Sequence, residues 1–107
     1  MSIAIVARGP FCFIEFYQDG KKATKIDLYE ELEIIDLKFI EKKKCCLLAF
    51  DKNKKTTSIY IVSVNKKVNK IDLTSPAHKL INSEAKVFIL MEKGFLQFDI
   101  ESECLIK

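Results

Sequence analysis

Lys25-Ile26-Asp27-Leu28 recurs as Lys70-Ile71-Asp72-Leu73, 45 positions further along the chain. Each copy closes a run of short segments in which apolar and polar residues alternate, the period of a β-strand with one face turned inward. Working outward from the two copies, strands are expected over residues 2–7, 11–17, 24–28, 33–40, 44–50, 58–64, 67–73, 78–81, 86–91, 94–100 and 104–107. Turns rich in Lys, Asn, Gly and Pro separate them, among them Asp19-Gly20, a dipeptide suited to a tight hairpin. Only residues 29–39 admit a second reading. Leu32, Ile35 and Phe39 would make a helical stripe, but Ile35, Leu37 and Phe39 also alternate with Asp36 and Lys38, and strand is the reading adopted.

The segments group as three, four and four, with boundaries at residues 1–28, 33–73 and 77–107. The first group lacks the strand that would open it. A repeat of 40–45 residues holding four strands marks the blade of a β-propeller. The expected fold is therefore all-β: antiparallel four-stranded meanders forming about two and three-quarter propeller-like blades, packed as one domain. Blades are covered on both faces by their neighbours, which accounts for unbroken apolar stretches such as Cys45-Cys46-Leu47-Leu48-Ala49-Phe50.

Composition narrows the class. Of 107 residues 49 % are hydrophobic and 31 % charged, with three Gly and two Pro, as in an ordinary globular domain. Eighteen Lys+Arg against fifteen Asp+Glu leave a net charge of +3, too little to imply a nucleic acid or membrane partner by itself. No apolar window reaches the ~20 residues of a membrane span, and residues 1–8 lack the pattern of a secretory signal. A cytoplasmic protein is expected. Cys12, Cys45, Cys46 and Cys104 show no Cys-x-x-Cys spacing, and His78 is the only histidine. The cysteines read as small buried hydrophobes in a reducing compartment, with neither metal site nor cofactor.

Three stretches carry a family resemblance: residues 4–14; residues 35–40 leading into 46–50 and 58–61; and residues 87–100. In strand order and apolar pattern the chain resembles WD-repeat-like propellers, most closely the early blades of the PROPPIN family of phosphoinositide-binding propellers. The resemblance implies blades and a binding role. The family's lipid site uses a paired-arginine motif, Phe/Leu-Arg-Arg-Gly, whereas Arg8 is the only arginine here, so no lipid-binding residue carries over. The Gly-His and Trp-Asp marks of WD repeats are absent as well, the chain having no Trp.

A second resemblance is local. Residues 8–16, Arg8-Gly9-Pro10-Phe11-Cys12-Phe13-Ile14-Glu15-Phe16, look like the aromatic octapeptide of an RNA-recognition motif with one residue inserted. By that resemblance Phe11 and Phe13 would stack on bases and Arg8 would meet a phosphate. Alternating aromatics on a strand also serve cross-strand packing. Replacing Phe11 and Phe13 by Leu separates the two, since packing tolerates the change and base stacking does not. The basic turns around Lys42 and Lys43, and around Lys54 and Lys55, would add a phosphate-binding rim if they lie on one side of the sheet.

Nothing in the chain spells an enzyme. Gly9, Gly20 and Gly94 are too far apart for a phosphate loop, and no carboxylate is spaced to orient His78 against Ser75 or Cys104. The expectation is a non-catalytic interaction or scaffold module that binds a protein partner or its own copies. A small RNA-binding β-domain is the alternative, and a small closed barrel or sandwich, with the repeat a coincidence, is a third reading. An open stack of blades leaves two flat faces to be covered, so a lone monomer is not expected.

Overall fold

The computed structural model describes residues 2–8, 11–28, 30–41, 44–83, 86–100, 102 and 104–106; for 2–8, Phe11 and Glu41 it describes the backbone alone. Gly9-Pro10, expected as a turn, and Lys42 and Lys43 lie outside the described residues.

Among the described residues there are eleven strands and no helix. They form three antiparallel meander sheets. The first holds β1 (Ser2–Arg8), β2 (Phe11–Gln18) and β3 (Lys21–Asp27). The second holds β4 (Leu32–Glu41), β5 (Lys44–Asp51), β6 (Thr56–Ser63) and β7 (Val68–Asp72). The third holds β8 (Ala77–Ser83), β9 (Lys86–Met91), β10 (Gly94–Asp99) and β11 (Cys104–Ile106). The three-four-four grouping expected from the sequence is thus the grouping of the sheets.

The repeat persists in three dimensions. Ile26 pairs with Ile14 in the first sheet, and 45 residues later Ile71 pairs with Ile59 in the second. Leu28 donates its backbone N–H to the Cys12 carbonyl at 3.0 Å, and Leu73 donates to the Thr57 carbonyl at 2.8 Å. Both members of each of these pairs shift by the same 45 positions. Lys25 and Asp27 approach to 3.8 Å on one strand, Lys70 and Asp72 to 3.9 Å on the other.

Burial stacks the sheets with the second in the middle. Successive side chains of a strand point to opposite faces. Cys45, Leu47, Ala49, Tyr60 and Val62 accordingly pack with Cys12, Ile14, Phe16, Ile26 and Leu28 of the first sheet. Their neighbours Cys46, Leu48, Ile59 and Ile61 pack with Leu80, Val87, Ile89 and Phe98 of the third. The adjacent cysteines therefore serve two different cores, as alternation requires. Each fully buried Leu, Ile or Phe contributes about 1.5–3 kcal/mol relative to exposure, so two continuous cores hold the stack.

Contacts between the second and third sheets concentrate on their opening strands, β4 and β8. Asp36 Oδ2 accepts the Leu80 backbone N–H at 2.8 Å, and Asn82 Nδ2 donates to the Phe39 carbonyl at 2.9 Å. A register shift makes this possible. Ile34 pairs with Ala49 and Asp36 with Leu48, leaving Ile35 as a bulge residue, with Ile34 packed toward the first sheet and Ile35 toward the third. The same insertion produced the helix-like spacing of Leu32, Ile35 and Phe39 in the sequence.

Candidate interaction surface

With the middle sheet covered on both sides, the outer face of the third sheet decides what the stack can still bind. Register puts Ile81, Phe88, Gln97 and Ile106 in one row across β8, β9, β10 and β11, with Lys79, Leu90 and Phe95 in the next. These residues alternate with Leu80, Val87, Ile89 and Phe98, which face the core. Phe95 is 61 % exposed, Ile106 43 % and Ile81 41 %. Phe88 and Phe95 meet edge to face, centroids 5.6 Å apart, so the two rings form one exposed aromatic ridge. Lys79 and Gln97 interrupt these rows, so the face mixes apolar and polar side chains.

The outer face of the first sheet is built differently. Phe13, Glu15 and Tyr17 are half-buried there, opposite Asp27, Lys25 and Lys22 of β3. Lys25 Nζ stands 4.3 Å above the Phe13 ring, Lys22 Nζ is 3.5 Å from Glu15 Oε2, and the Tyr17 hydroxyl donates to Glu15 Oε1 at 3.3 Å. The cation over the aromatic face and the exposed ion pair each contribute about 1 kcal/mol or less. This face is amphipathic, with the Lys25 ammonium over the Phe13 ring and Lys22 paired with Glu15.

The equivalent positions in the second sheet are closed over. Tyr60, 1 % exposed, donates its hydroxyl to Glu30 Oε2 at 3.0 Å. Lys70 Nζ reaches the same oxygen at 3.3 Å and lies 5.6 Å from the centre of the Tyr60 ring. Ser58 Oγ donates to Asp72 Oδ1 at 2.6 Å. Burial first, and then the hydrogen bond to the Glu30 carboxylate, push the Tyr60 phenol up, so it stays a neutral donor. Glu30 belongs to the link between β3 and β4, and its carbonyl also accepts the Cys12 N–H at 3.1 Å. No local sequence pattern signals this clamp, whose partners are 30 and 40 residues apart.

The residues singled out for phosphate or base contact are not brought together. Arg8 ends β1 and Phe11 begins β2, and they face each other as the last described pair of that antiparallel ladder. Arg8 thus lies on a different strand from Phe11 and Phe13, which share β2. Phe13 carries Lys25 over its ring. Lys54 and Lys55 are exposed in the β5–β6 turn, next to the pair Asp51–Thr56. Glu41 and Lys44, which bracket Lys42 and Lys43, pair at the opposite end of β5. The Glu41–Lys44 and Asp51–Thr56 pairs thus lie at opposite ends of β5.

In the Lys54 turn, Asp51 Oδ1 accepts the backbone N–H groups of Asn53 and Lys54 at 2.9 and 3.1 Å. The Lys54 N–H above all, with Asn53 adding to it against the cost of burial, holds the Asp51 carboxyl below its usual range. Lys55 follows in the left-handed region at φ 56°. At the far end an open recess of about 520 Å³ is lined by Lys44, Ser63, Asn65, Lys67 and Asn69 over Ile61 and Val68.

Cys12, Cys45 and Cys46 are buried, and burial pushes the Cys45 and Cys46 thiols up to about 12. Cys104 departs from the expectation. It is exposed, its Sγ 3.0 Å from Ser102 Oγ, because β11 is a short edge strand with no neighbour beyond it among the described residues. His78 lies exposed on β8. Among the described residues no three His, Cys, Asp or Glu converge on a point where a metal could sit, and no helix is long and apolar enough to cross a membrane.

No protein-family model, no curated protein and no solved structure matches this chain.

Proposed function

We propose that this chain is a non-catalytic protein-interaction module built from propeller-like blades, with the outer face of its third sheet as the contact surface. The observation that carries the reading is the set of exposed Ile81, Phe95 and Ile106, with half-buried Phe88 between them, on the outer face of the third sheet, at the end of a stack whose middle sheet is covered on both sides. Three features support the blade reading: the structural repeat of 45 residues, the sheets of consecutive antiparallel strands, and the convergence of β4 and β8, the opening strands. Blades fan out from their opening strands and bury both faces against neighbours. The partner is then a protein surface able to lie flat on a sheet, and three buried thiols suit the cytoplasm, where thiols stay reduced.

The test compares the wild-type chain with Phe95→Glu. Light scattering across a dilution series reads association, and a dye that fluoresces on apolar protein surface reads the exposed face. The expected result is concentration-dependent mass or dye binding in the wild type, lost in Phe95→Glu with far-UV circular dichroism unchanged. A wild type that stays monomeric, binds no dye and is indifferent to Phe95→Glu overturns the reading.

A further inference from the structure

We propose that the surface covering the third sheet is the first sheet of a second copy, so that two chains close head to tail into a ring of six sheets. The inference rests on the interaction reading above and names its partner.

Ile14, Ile26 and Leu28 of the first sheet pack toward the second, and their counterparts 45 residues on, Ile59, Ile71 and Leu73, pack toward the third. The apolar packing between sheets therefore repeats in the same direction, while the β4–β8 junction of the second contact has no counterpart in the three-stranded first sheet. The outer face of the third sheet and the outer face of the first are the two unmatched halves of that packing. The outer face of the third sheet presents Ile81, Phe88, Phe95 and Ile106; that of the first sheet presents Phe13 and Tyr17 among Lys22, Lys25, Glu15 and Asp27. In the second sheet the positions matching Glu15 and Lys25 are Tyr60 and Lys70, and they are roofed by the chain leaving the sheet before. Lys25, its side chain 43 % exposed, has Asp27 beside it but no such roof among the described residues.

Area favours use of both faces. Four strands about 4.8 Å apart and six residues long give a sheet face of about 400 Å². A standard stable interface takes about 800 Å² from each partner. Two third sheets meeting face to face would use one face per chain and fall short. A head-to-tail pair uses two faces per chain, about 700 Å² with the three-stranded first sheet, which falls within the ~600–1,000 Å² per partner of stable interfaces. Two copies of the three described sheets give six, inside the range of four to eight blades that propellers adopt; three copies give nine, outside it. A closed pair has twofold symmetry and leaves no sticky end from which a filament grows.

The test uses the full chain and two variants, Phe95→Glu on the third sheet and Phe13→Glu on the first, where Lys25 gives the new carboxylate a partner. Tyr17→Lys, beside Glu15, stands in if Phe13→Glu fails to fold. The wild type, 12.3 kDa per chain, is expected as a dimer by light scattering. Each variant alone raises the dissociation constant at least tenfold with circular dichroism unchanged. An equimolar mixture of Phe95→Glu and the first-sheet variant recovers part of the association, because one intact contact forms between them. A dimer indifferent to both Phe13→Glu and Tyr17→Lys, or a trimer, overturns the ring while leaving the interaction reading in place. A wild type that is monomeric throughout yet binds dye through Phe95 does the same.

Discussion

The Tyr60 hydroxyl donates to the Glu30 carboxylate at 3.0 Å, so the link leaving the first sheet locks onto the face of the second. Lys70 completes the clamp at 3.3 Å from the same oxygen. Because the Tyr60 ring is buried, its hydroxyl has no ready access to water, and removing one partner strands the other. Tyr60→Phe and Glu30→Gln are each expected to cost about 1–2 kcal/mol in urea denaturation. The double variant is expected to cost less than the sum of the two, a coupling that a double-mutant cycle reads directly. Strict additivity would mean that the bond does not hold the sheets.

The same residue sets an alkaline limit. The Tyr60 phenol is raised above its ordinary value of 10.0, and the Cys45 and Cys46 thiols from 9.0 to about 12. A group raised in the folded state stabilises the fold fully below its unfolded value and loses that contribution as pH climbs through the folded one. Stability is therefore expected to hold to about pH 9 and to fall progressively toward pH 12. Tyr60→Phe flattens the part of the fall above pH 10, measured by denaturant midpoint at each pH. An unchanged profile in Tyr60→Phe would assign the alkaline loss elsewhere.

Two phenylalanines three residues apart on β10 test the direction of the stack. Phe98 is fully buried against the second sheet, whereas Phe95 is 61 % exposed on the other face. Phe98→Ala is expected to cost about 3–5 kcal/mol. Phe95→Ala, measured at a dilution where the chain is monomeric, is expected to cost about 1 kcal/mol or less, the worth of its edge contact with Phe88. Equal costs would mean that both faces of β10 are core.

This contrast also marks the limit of what the sequence reveals. Alternation along residues 94–100 separates Phe95 and Gln97 from Leu96 and Phe98, and it fixes strand and phase. Which face is covered depends on what lies beside the sheet, and no local pattern carries that. Strand positions, the grouping of strands and the equivalence of the two Lys-Ile-Asp-Leu copies were legible because each is a short-range periodicity. The bulge at Ile35 misleads because one inserted residue in a strand imitates helical spacing. The Glu30 clamp was illegible because it follows from which strands meet, a long-range fact that single-sequence patterns do not encode.

Thiol chemistry distinguishes Cys104 from the other three cysteines. It is exposed on a short edge strand, whereas Cys12, Cys45 and Cys46 are buried and the latter two are held protonated near neutral pH. A chromogenic disulfide reagent is expected to label one thiol per native chain promptly and three more only on unfolding. Cys104→Ser removes the prompt phase. A second prompt thiol in the native chain would place one of the two cores within reach of solvent.

The Asp51 turn offers the acid counterpart. Its carboxylate caps the Asn53 and Lys54 N–H groups, the arrangement that lets four residues reverse the chain between β5 and β6. Its folded value is lowered, so its stabilisation is present above the unfolded value near 4 and is lost as pH falls through the folded one. Asp51→Ala removes the cap at every pH and is expected to cost about 1–2 kcal/mol. Asp51→Asn keeps an oxygen for the two N–H groups but no longer titrates. It is expected to cost less than Asp51→Ala at neutral pH and to lose less stability than the wild type between pH 4 and pH 2. Denaturant midpoints at pH 7 and pH 3 for the three proteins separate capping from charge. If Asp51→Asn is as damaging as Asp51→Ala at pH 7, the charge rather than the oxygen holds the turn.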